Sequence, residues 1–275
     1  MMLRTAASLW RPIDRWGRVP VWAIRRARRP GLTILMYHCV GAGTSLEFDL
    51  PIGLLSRQLA FLRRRYRIVS LDDLVTMAPA DPSRLPTEDL LVLTFDDAHE
   101  GLYTALLPLI MRHRIPATVY LQTEHVELQQ ALDWGGYRTV VEARRPRPLA
   151  WWQVRALLDS GLITIGAHTH SHADLSQASP SLIAREIELS NDLFRRRLGI
   201  RPRHFAYPFG RTSPDADRVV ASAYDTAVVV GSAKNTFGGI NLHALRRVPV
   251  ARSDGFWFFR VKLLTLRAAP FHRPP

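Results

Sequence analysis

Two adjacent acidic residues, Asp96 and Asp97, directly follow an apolar run at residues 90–95 (LLVLTF). A short apolar run of this kind is typical of a buried strand, and the carboxyl ends of parallel strands form the ligand-binding edge of α/β folds. Two carboxylates held together there repel each other unless a cation or a shared proton offsets their charge. The alternative is that they cap the following helix, because aspartate is a favoured N-cap residue.

A cluster of three histidines, His168, His170 and His172, occupies a similar position after apolar residues 163–167 (ITIGA). In a helical turn His168 and His172 would lie on the same side, whereas in an extended segment all three would share a face. Neutral imidazole is a common metal ligand, and two imidazoles with one carboxylate leave open positions on an ion. The pattern therefore favours a metal site that combines histidines of this cluster with a carboxylate from Asp96 or Asp97.

A turn formed by Pro208, Phe209 and Gly210 follows a third apolar segment. Its backbone N–H groups could face a developing oxyanion, or it could be an ordinary proline-glycine turn. The sequence has neither a glycine-rich phosphate loop nor the G-x-S-x-G motif of a nucleophilic serine. A glycosidase pair is disfavoured, because adjacent residues such as Asp96 and Asp97 rarely straddle a sugar ring.

The elements that must position these residues alternate along the chain. Predicted strands cover residues 32–37, 90–95, 117–121, 163–167, 205–207 and 226–230, and predicted helices cover residues 51–65, 103–113, 152–160, 181–198 and 214–223. Apolar strands that alternate with helices indicate a parallel sheet covered on both faces. Residues 126–148 are mostly polar and are interpreted as an irregular insertion loop. We therefore predict one α/β domain over residues 31–265.

The composition sets broad limits on the protein. Its 275 residues are 47% hydrophobic, which allows one sizeable core, and its one cysteine, Cys39, excludes an intrachain disulfide. The formal charge of +13 comes almost entirely from arginine and favours anionic partners, unless it reflects a genome rich in arginine codons. Residues 1–30 form a basic arm with tryptophans, which is either membrane-interfacial or disordered, and residues 266–275 form a short tail.

The termini also bear on the expected location. No apolar run reaches the 18 residues typical of a membrane-spanning helix, and residues 1–29 lack the apolar core and cleavage site of a secretory signal. We expect a cytoplasmic protein, peripheral on the inner membrane if the basic arm contacts anionic lipid. Nucleic acid is the least favoured partner, because no groove-reading motif accompanies the charge.

Taken in order, these segments resemble the motifs of the NodB-type polysaccharide deacetylases, carbohydrate esterase family 4. The family's Thr-Phe-Asp-Asp-Gly motif is matched by residues 94–98 (TFDDA), and its His-Ser/Thr-x-x-His motif by residues 168–172 (HTHSH). Its third motif, which ends in Pro-aromatic-Gly, is matched by residues 208–210 (PFG). Residues 36–38 (MYH) are similar to the opening strand of the poly-N-acetylglucosamine de-N-acetylase branch.

The resemblance implies the family's distorted (β/α) barrel of about seven parallel strands. It also implies that Asp97, His168 and His172 bind a divalent metal, usually zinc, and that Asp96 is the general base that activates water. The metal would polarise an acetamide carbonyl while Asp96 removes a proton, and a backbone N–H near Phe209 would help to hold the oxyanion.

The chain departs from the family pattern at several positions. Ala98 replaces a glycine, which is tolerable where the backbone φ is negative. Ala206 stands where many members have an arginine that orients the base, and Arg247 is the candidate to supply that charge from another strand. The family's general-acid histidine has no clear match, so His38 is the candidate to protonate the leaving group. His170 is expected to be a bystander.

These observations together favour a metal-dependent hydrolase. It would remove N-acetyl, or O-acetyl, groups from an amino sugar within a polysaccharide or glycolipid, and a lipid-linked sugar would suit the basic arm. The alternative is a glycan-binding protein with the same fold and weakened or lost catalysis, which Ala98 and Ala206 motivate. Metal content and acetate release distinguish the two.

Overall fold

The computed structural model describes residues 30–77 and 86–267. Nearly all of the predicted basic arm and most of the predicted tail lie outside these ranges. Within them, no helix is both long and apolar enough to cross a membrane.

Strands and helices alternate through the described ranges. The strands are β1 (Gly31–Tyr37), β2 (Cys39–Val40), β3 (Asp49–Leu50), β4 (Arg67–Ile68), β5 (Leu90–Phe95), β6 (Ala117–Leu121), β7 (Ile163–Ala167), β8 (His204–Ala206), β9 (Thr226–Val230), β10 (Asn235–Thr236) and β11 (Leu245–Pro249). The α-helices are α1 (Ile52–Arg65), α2 (Leu71–Met77), α3 (Leu107–His113), α4 (Thr123–Leu128), α5 (Trp151–Asp159), α6 (Pro180–Leu198), α7 (Pro214–Ala223) and α8 (Trp257–Thr265).

Seven of these strands close into a barrel in which every neighbouring pair is parallel. Their order is β1, β11, β9, β8, β7, β6 and β5, and β5 pairs again with β1 from Leu32↔Leu90 to Tyr37↔Phe95. The short strands β4 and β10 pair with β5 and β1 outside this closed ring. The predicted (β/α) barrel with about seven parallel strands is confirmed.

Most residues of the barrel strands are apolar, because both faces of the strands are covered. Ile34, Tyr120 and Val228 belong to the cluster that fills the barrel, whereas Leu93 and Val119 belong to the cluster between the strands and the helices. Side chains alternate between the two faces of a strand, so a continuous apolar run supplies both layers. The outer layer holds the helices in place around the barrel.

Helix α6 shows how local sequence sets the boundaries of an outer helix. Ser179 accepts a hydrogen bond from the Leu182 N–H at the helix start, and Gly199 ends the helix in a left-handed conformation with φ of 70°. Serine is a favoured N-cap, and glycine adopts the left-handed conformation without steric cost. Ile187 and Phe194 lie on the buried face and fix the helix against the outer core.

Two regions differ from the sequence-based prediction. The helix predicted at residues 103–113 begins with a π-helix, Leu102–Leu106, before α3. The predicted irregular loop starts inside α4 and contains two 3₁₀-helices, Gly135–Thr139 and Glu142–Arg144. Residues 129–148, called the insertion segment below, contain five buried residues, of which the largest are Leu132, Trp134 and Tyr137 and the other two are Pro146 and Pro148. The burial of these side chains could not be predicted from the sequence, because they stand in a mostly polar segment without the spacing of a helix or a strand.

Candidate active site

The carboxyl ends of three barrel strands bring the predicted polar residues to one edge. His38 follows β1, Asp96 and Asp97 follow β5, and His168 follows β7. The Asp96 N–H donates to the Tyr37 carbonyl at 2.9 Å, and the His168 N–H donates to the Leu121 carbonyl at 3.0 Å. Strand register therefore sets where these side chains leave the barrel.

Asp97, His168 and His172 form a buried cluster at this edge. Asp97 Oδ1 lies 3.6 Å from His168 Nε2 and 3.4 Å from His172 Nε2. Within residues 30–77 and 86–267, this is the one group of three or more His, Cys, Asp or Glu side chains whose potential ligand atoms all lie within 4.8 Å of one another. The structure thus brings together the three predicted metal ligands.

The segment between the two histidines is neither helical nor extended, so neither conformation considered from the sequence applies. Thr169 and His172 have left-handed φ values of 64° and 62°. Glu186, on α6, accepts hydrogen bonds from the N–H groups of His170 and Ser171 at 3.0 and 2.8 Å. These bonds fix a loop that brings the His172 ring to 4.8 Å from the His168 ring.

His170 lies outside the cluster. Its Nδ1 is 2.9 Å from the Thr123 hydroxyl, and its Nε2 is 3.9 Å from a Glu124 carboxylate oxygen. Both partners lie on α4, so His170 ties the histidine loop to that helix rather than joining the metal-type ligands.

Contacts on the outer side of each ring orient the two histidines of the cluster. His168 Nδ1 lies 2.7 Å from the carbonyl oxygen of Ala206. Since a carbonyl only accepts, Nδ1 carries the hydrogen and Nε2 presents a lone pair toward Asp97. The His172 ring stacks on Trp134 with 4.3 Å between centroids. Burial lowers the pKa of His172 to about 4, so this ring is neutral near pH 7.

These features fit a divalent metal ion. Asp97 Oδ1 and the Nε2 lone pair of His168 are both electron-rich and lie 3.6 Å apart, so a cation bound between them would offset their repulsion. Ligands about 2.1 Å from one tetrahedral ion stand roughly 3.4 Å apart, close to both measured distances from Asp97. One anion and two imidazoles also leave a position for water or substrate, as in catalytic zinc sites.

Asp96, beside the cluster, is held in a buried bidentate ion pair. Arg247 Nη1 and Nη2 donate to its two carboxylate oxygens at 2.6 and 2.7 Å. Arg247 reaches Asp96 from β11, and its guanidinium lies 5.6 Å from the Tyr120 ring centroid. Burial alone would raise the pKa of Asp96, but the charge and hydrogen bonds of Arg247, together with the nearby His168 and His38, outweigh this effect and hold the pKa below the ordinary value. Asp96 is therefore an oriented anion.

Tyr137, which the sequence analysis did not single out, contacts Asp97 from the insertion segment. Its hydroxyl donates to Asp97 Oδ2 at 2.8 Å, on the opposite oxygen from the two histidines. Cys39 Sγ lies 3.3 Å from the same hydroxyl. The available signal was a pair of aromatic residues, Trp134 and Tyr137, around two glycines in an otherwise polar segment.

Left-handed backbone conformations are concentrated at the site. Of seven non-glycine residues with positive φ in the described ranges, five are site residues or their neighbours: Asp97 (68°), Ala98 (42°), Thr169 (64°), His172 (62°) and Phe209 (59°). Such conformations cost about 1–2 kcal/mol per residue, so surrounding contacts must hold them. An alanine was expected to be tolerated at position 98 because the backbone φ there would be negative, but the observed φ of Ala98 is 42°, so that expectation is wrong.

The turn after β8 places Phe209 against the cluster. The Phe209 ring lies 4.8 Å from the His172 ring in an edge-on arrangement. Gly210 has a φ of 66°, and a Cβ there would lie 2.2 Å from Val230 Cγ2, so the position requires glycine. The Gly210 N–H donates to the Tyr207 carbonyl at 2.9 Å, which closes the turn.

A cavity of about 470 Å³ contains all the predicted polar site residues: His38, Asp96, Asp97, His168, His172 and Arg247. Its remaining walls are largely aromatic or apolar and include Phe48, Trp134, Tyr137, Phe209 and Val230. Burial lowers the pKa of His38, although the nearby carboxylates oppose this effect, so His38 is neutral near pH 7. The residues predicted to bind metal and those predicted to move protons thus share one cavity.

Comparison with known sequences identifies related proteins. The profile of the polysaccharide deacetylase family matches residues 84–228, a range that contains Asp96, Asp97, His168 and His172 but neither His38 nor Arg247. The protein YxkH of Bacillus subtilis (strain 168) is 23% identical over 237 residues, which cover 85% of this chain and 77% of that protein.

Several solved structures share the fold. IcaB from Ammonifex degensii has a TM-score of 0.70 and 20% identity, over 86% of this chain and 97% of that one. Streptococcus pyogenes deacetylase PplD in complex with acetate has a TM-score of 0.69 and 22% identity, over 84% and 97%. A de-N-acetylase from Aggregatibacter actinomycetemcomitans has a TM-score of 0.65 and 19% identity, over 84% and 99%. At these identities the likeness establishes the barrel fold.

Proposed function

The chain belongs to the polysaccharide deacetylase family, and from this premise we propose that it is a metal-dependent hydrolase that removes N-acetyl groups from an amino sugar of a polysaccharide or glycolipid. One observation carries the proposal. Asp96, oriented by Arg247, lines the same cavity as the convergent cluster of Asp97, His168 and His172.

The metal, which we propose to be zinc, would be held by Asp97 Oδ1 and by the Nε2 atoms of His168 and His172. Bound there, it supplies Lewis acidity that polarises an acetamide carbonyl and acidifies water. The hydrogen bond from His168 Nδ1 to the Ala206 carbonyl keeps the Nε2 lone pair directed toward the shared position.

Asp96 is assigned the role of general base. It is an anion, and the fork of Arg247 fixes both of its oxygens, so its remaining lone pairs are directed without any rearrangement. Asp96 would take one proton from water as the water oxygen attacks the acetamide carbon. A positioned base of this kind contributes about 10²–10⁴-fold to rate.

Phe209 is assigned to the oxyanion. Within its turn, Pro208 has no N–H and the N–H of Gly210 is already donated to Tyr207, which leaves the Phe209 N–H as the donor for the new oxyanion. The left-handed φ of Phe209 would set the direction of that N–H.

His38 is assigned the role of general acid, which protonates the leaving amine. When the carbon–nitrogen bond breaks, the sugar nitrogen needs one proton. Because burial lowers its pKa, His38 is neutral in the free protein and must gain that proton during the cycle. Asp96, which has just gained one from water, lines the same cavity.

The substrate proposal has two extensions. The same groups would hydrolyse an O-acetyl ester, so O-deacetylation is the close variant. The charge of +13 would attract the protein, through residues 1–30, to anionic lipid at the cytoplasmic face of the inner membrane. A lipid-linked sugar at that surface would then be a suitable substrate. Co-sedimentation with anionic vesicles, with and without residues 1–30, tests the second extension; equal sedimentation would exclude it.

Acetate release tests the central proposal. The zinc-loaded chain is incubated with oligomers of N-acetylglucosamine and, separately, with an O-acetylated glycan. The variant Asp96→Asn should bind zinc normally but release acetate at least about 100-fold more slowly. Asp192→Asn, a change at a partly exposed residue of α6 that does not line the cavity, is the matched control. Normal release by Asp96→Asn would refute the mechanism, and glycan binding without any release would favour a binding protein.

A further inference from the structure

Asp97 offers its two carboxylate oxygens to different partners. Oδ1 faces the Nε2 atoms of both histidines, whereas Oδ2 accepts a hydrogen bond from the Tyr137 hydroxyl at 2.8 Å. We propose that Tyr137 is a positioning residue for the metal centre, which holds Asp97 as a ligand through one oxygen only. This inference rests on the proposed metal-dependent function.

Cys39 gives the hydrogen-bond chain a direction. Tyrosine has a single hydroxyl proton, and Tyr137 donates it to Asp97, so the Cys39 thiol at 3.3 Å must donate to the phenol oxygen. Burial raises the pKa of both the Cys39 thiol and the Tyr137 hydroxyl, so both keep their protons near pH 7. The chain therefore runs from Cys39 through Tyr137 to Asp97.

The surroundings of Tyr137 make it a rigid support. Its ring packs edge-on against Phe48, with 5.0 Å between centroids, and against Trp134, with 5.6 Å. Trp134 in turn stacks on His172. The insertion segment thus contacts two of the three metal-type ligands, while the third, His168, is held by the Ala206 carbonyl.

The chemical consequence lies in how many positions Asp97 occupies on an ion. With Oδ2 engaged by Tyr137, Asp97 contributes one oxygen, and positions remain for water and the substrate carbonyl. Without the hydroxyl, Oδ2 is free to approach the ion, or the carboxylate is free to rotate. Either change alters both the affinity for metal and the geometry around it.

Tyr137→Phe removes the hydroxyl and keeps the ring. Zinc affinity of the metal-free full chain is measured by competition with a chromophoric chelator, and cobalt(II) absorption reports the coordination geometry. Partners of metal ligands typically contribute 10- to 100-fold to affinity, so we expect a loss of about that size and a shifted cobalt spectrum. The matched control is Tyr224→Phe, whose buried hydroxyl donates to Asn191 at 3.1 Å outside the site; it should behave as wild type.

Each outcome has a defined meaning. Unchanged zinc affinity and an unchanged cobalt spectrum in Tyr137→Phe would overturn the inference, as would an equal loss in Tyr224→Phe. A second variant, Cys39→Ala, leaves the Tyr137 hydroxyl in place and should weaken zinc binding less than Tyr137→Phe does. A larger loss of zinc affinity in Cys39→Ala than in Tyr137→Phe would also contradict the inference. If the wild-type chain itself binds neither metal, the proposed function fails instead.

Discussion

Arg247→Met tests the buried ion pair on which the proposed base depends. Methionine keeps an unbranched side chain in the barrel but removes the guanidinium that donates to both oxygens of Asp96. The Asp96 carboxylate would then remain buried without its cation. We expect a less stable protein and much slower acetate release, because the proposed base loses both its orientation and its compensating charge.

The size of the effect follows from the burial of the pair. The side chains of Arg247 and Asp96 are 1% and 3% exposed. Removing one partner of such a pair costs about 3–5 kcal/mol. At about 2–4 °C per kcal/mol for a domain of this size, Tm should fall by about 6–20 °C. Adding Asp96→Asn to Arg247→Met removes the uncompensated charge, and the two changes should couple by about 1–3 kcal/mol.

Urea unfolding of wild type, both single variants and the double variant measures this coupling. The surface pair of Arg67 and Glu88, with an N–O distance of 3.0 Å and both side chains more than half exposed, is the control. Arg67→Met should change the free energy of unfolding by less than about 1 kcal/mol. A cost of Arg247→Met below about 1 kcal/mol, or single effects that simply add, would refute the reasoning.

Three further predictions concern backbone conformation and charge. Gly210→Ala should lower Tm and slow acetate release, because the new Cβ meets Val230 at a residue with φ of 66°. Ala98→Gly should leave the free energy of urea unfolding unchanged or raise it by up to about 1 kcal/mol. Glycine would relieve the strain of a left-handed alanine, which costs about 1–2 kcal/mol, but it would also raise the conformational entropy of the unfolded chain, which offsets part of that stabilisation. Hydrogen bonding from His204, together with the charge of Arg203, lowers the pKa of Asp72 below 3.8. The resulting stability is present above about pH 3.8 and lost as pH falls through the folded-state pKa, so Asp72→Asn should be less stable than wild type near pH 7, with a difference that shrinks on acidification.

Each of these has an outcome that contradicts it. A wild-type Tm in Gly210→Ala would show that the turn can shift away from Val230. A clear loss of stability in Ala98→Gly would show that the alanine methyl contributes more by packing than it costs in strain. A stability difference for Asp72→Asn that stays constant between pH 7 and pH 3 would show that the charge of Asp72 contributes nothing.

The sequence located the strands of the site well because their physical signal is local. The apolar runs that became β5 and β7 are long enough to be buried on both faces, and each ends in polar residues. That pattern alone placed Asp96, Asp97 and His168 at one edge of a sheet. The position of Arg247 beside Asp96 was anticipated through the family resemblance, since no local pattern connects residues on β5 and β11.

The loops could not be predicted in the same way. The sequence left open a helical or an extended segment after His168, and the observed loop depends on Glu186, a residue of another element. Tyr137 was missed because the insertion segment is anchored by single aromatic side chains without periodic spacing. Left-handed φ values at Thr169 and His172 are set by such tertiary contacts and not by residue preference.

The ion pair between Asp96 and Arg247 joins residues 151 positions apart, with β1 lying between their strands. During synthesis from the N-terminus, all three proposed metal ligands emerge well before the strand that carries Arg247. A nascent chain that ends after β9 has those ligands but cannot close the barrel, because β1 still lacks its neighbour β11. Completion of the fold and completion of the site are therefore a single late event in translation, and a chain released early should yield no partly active enzyme.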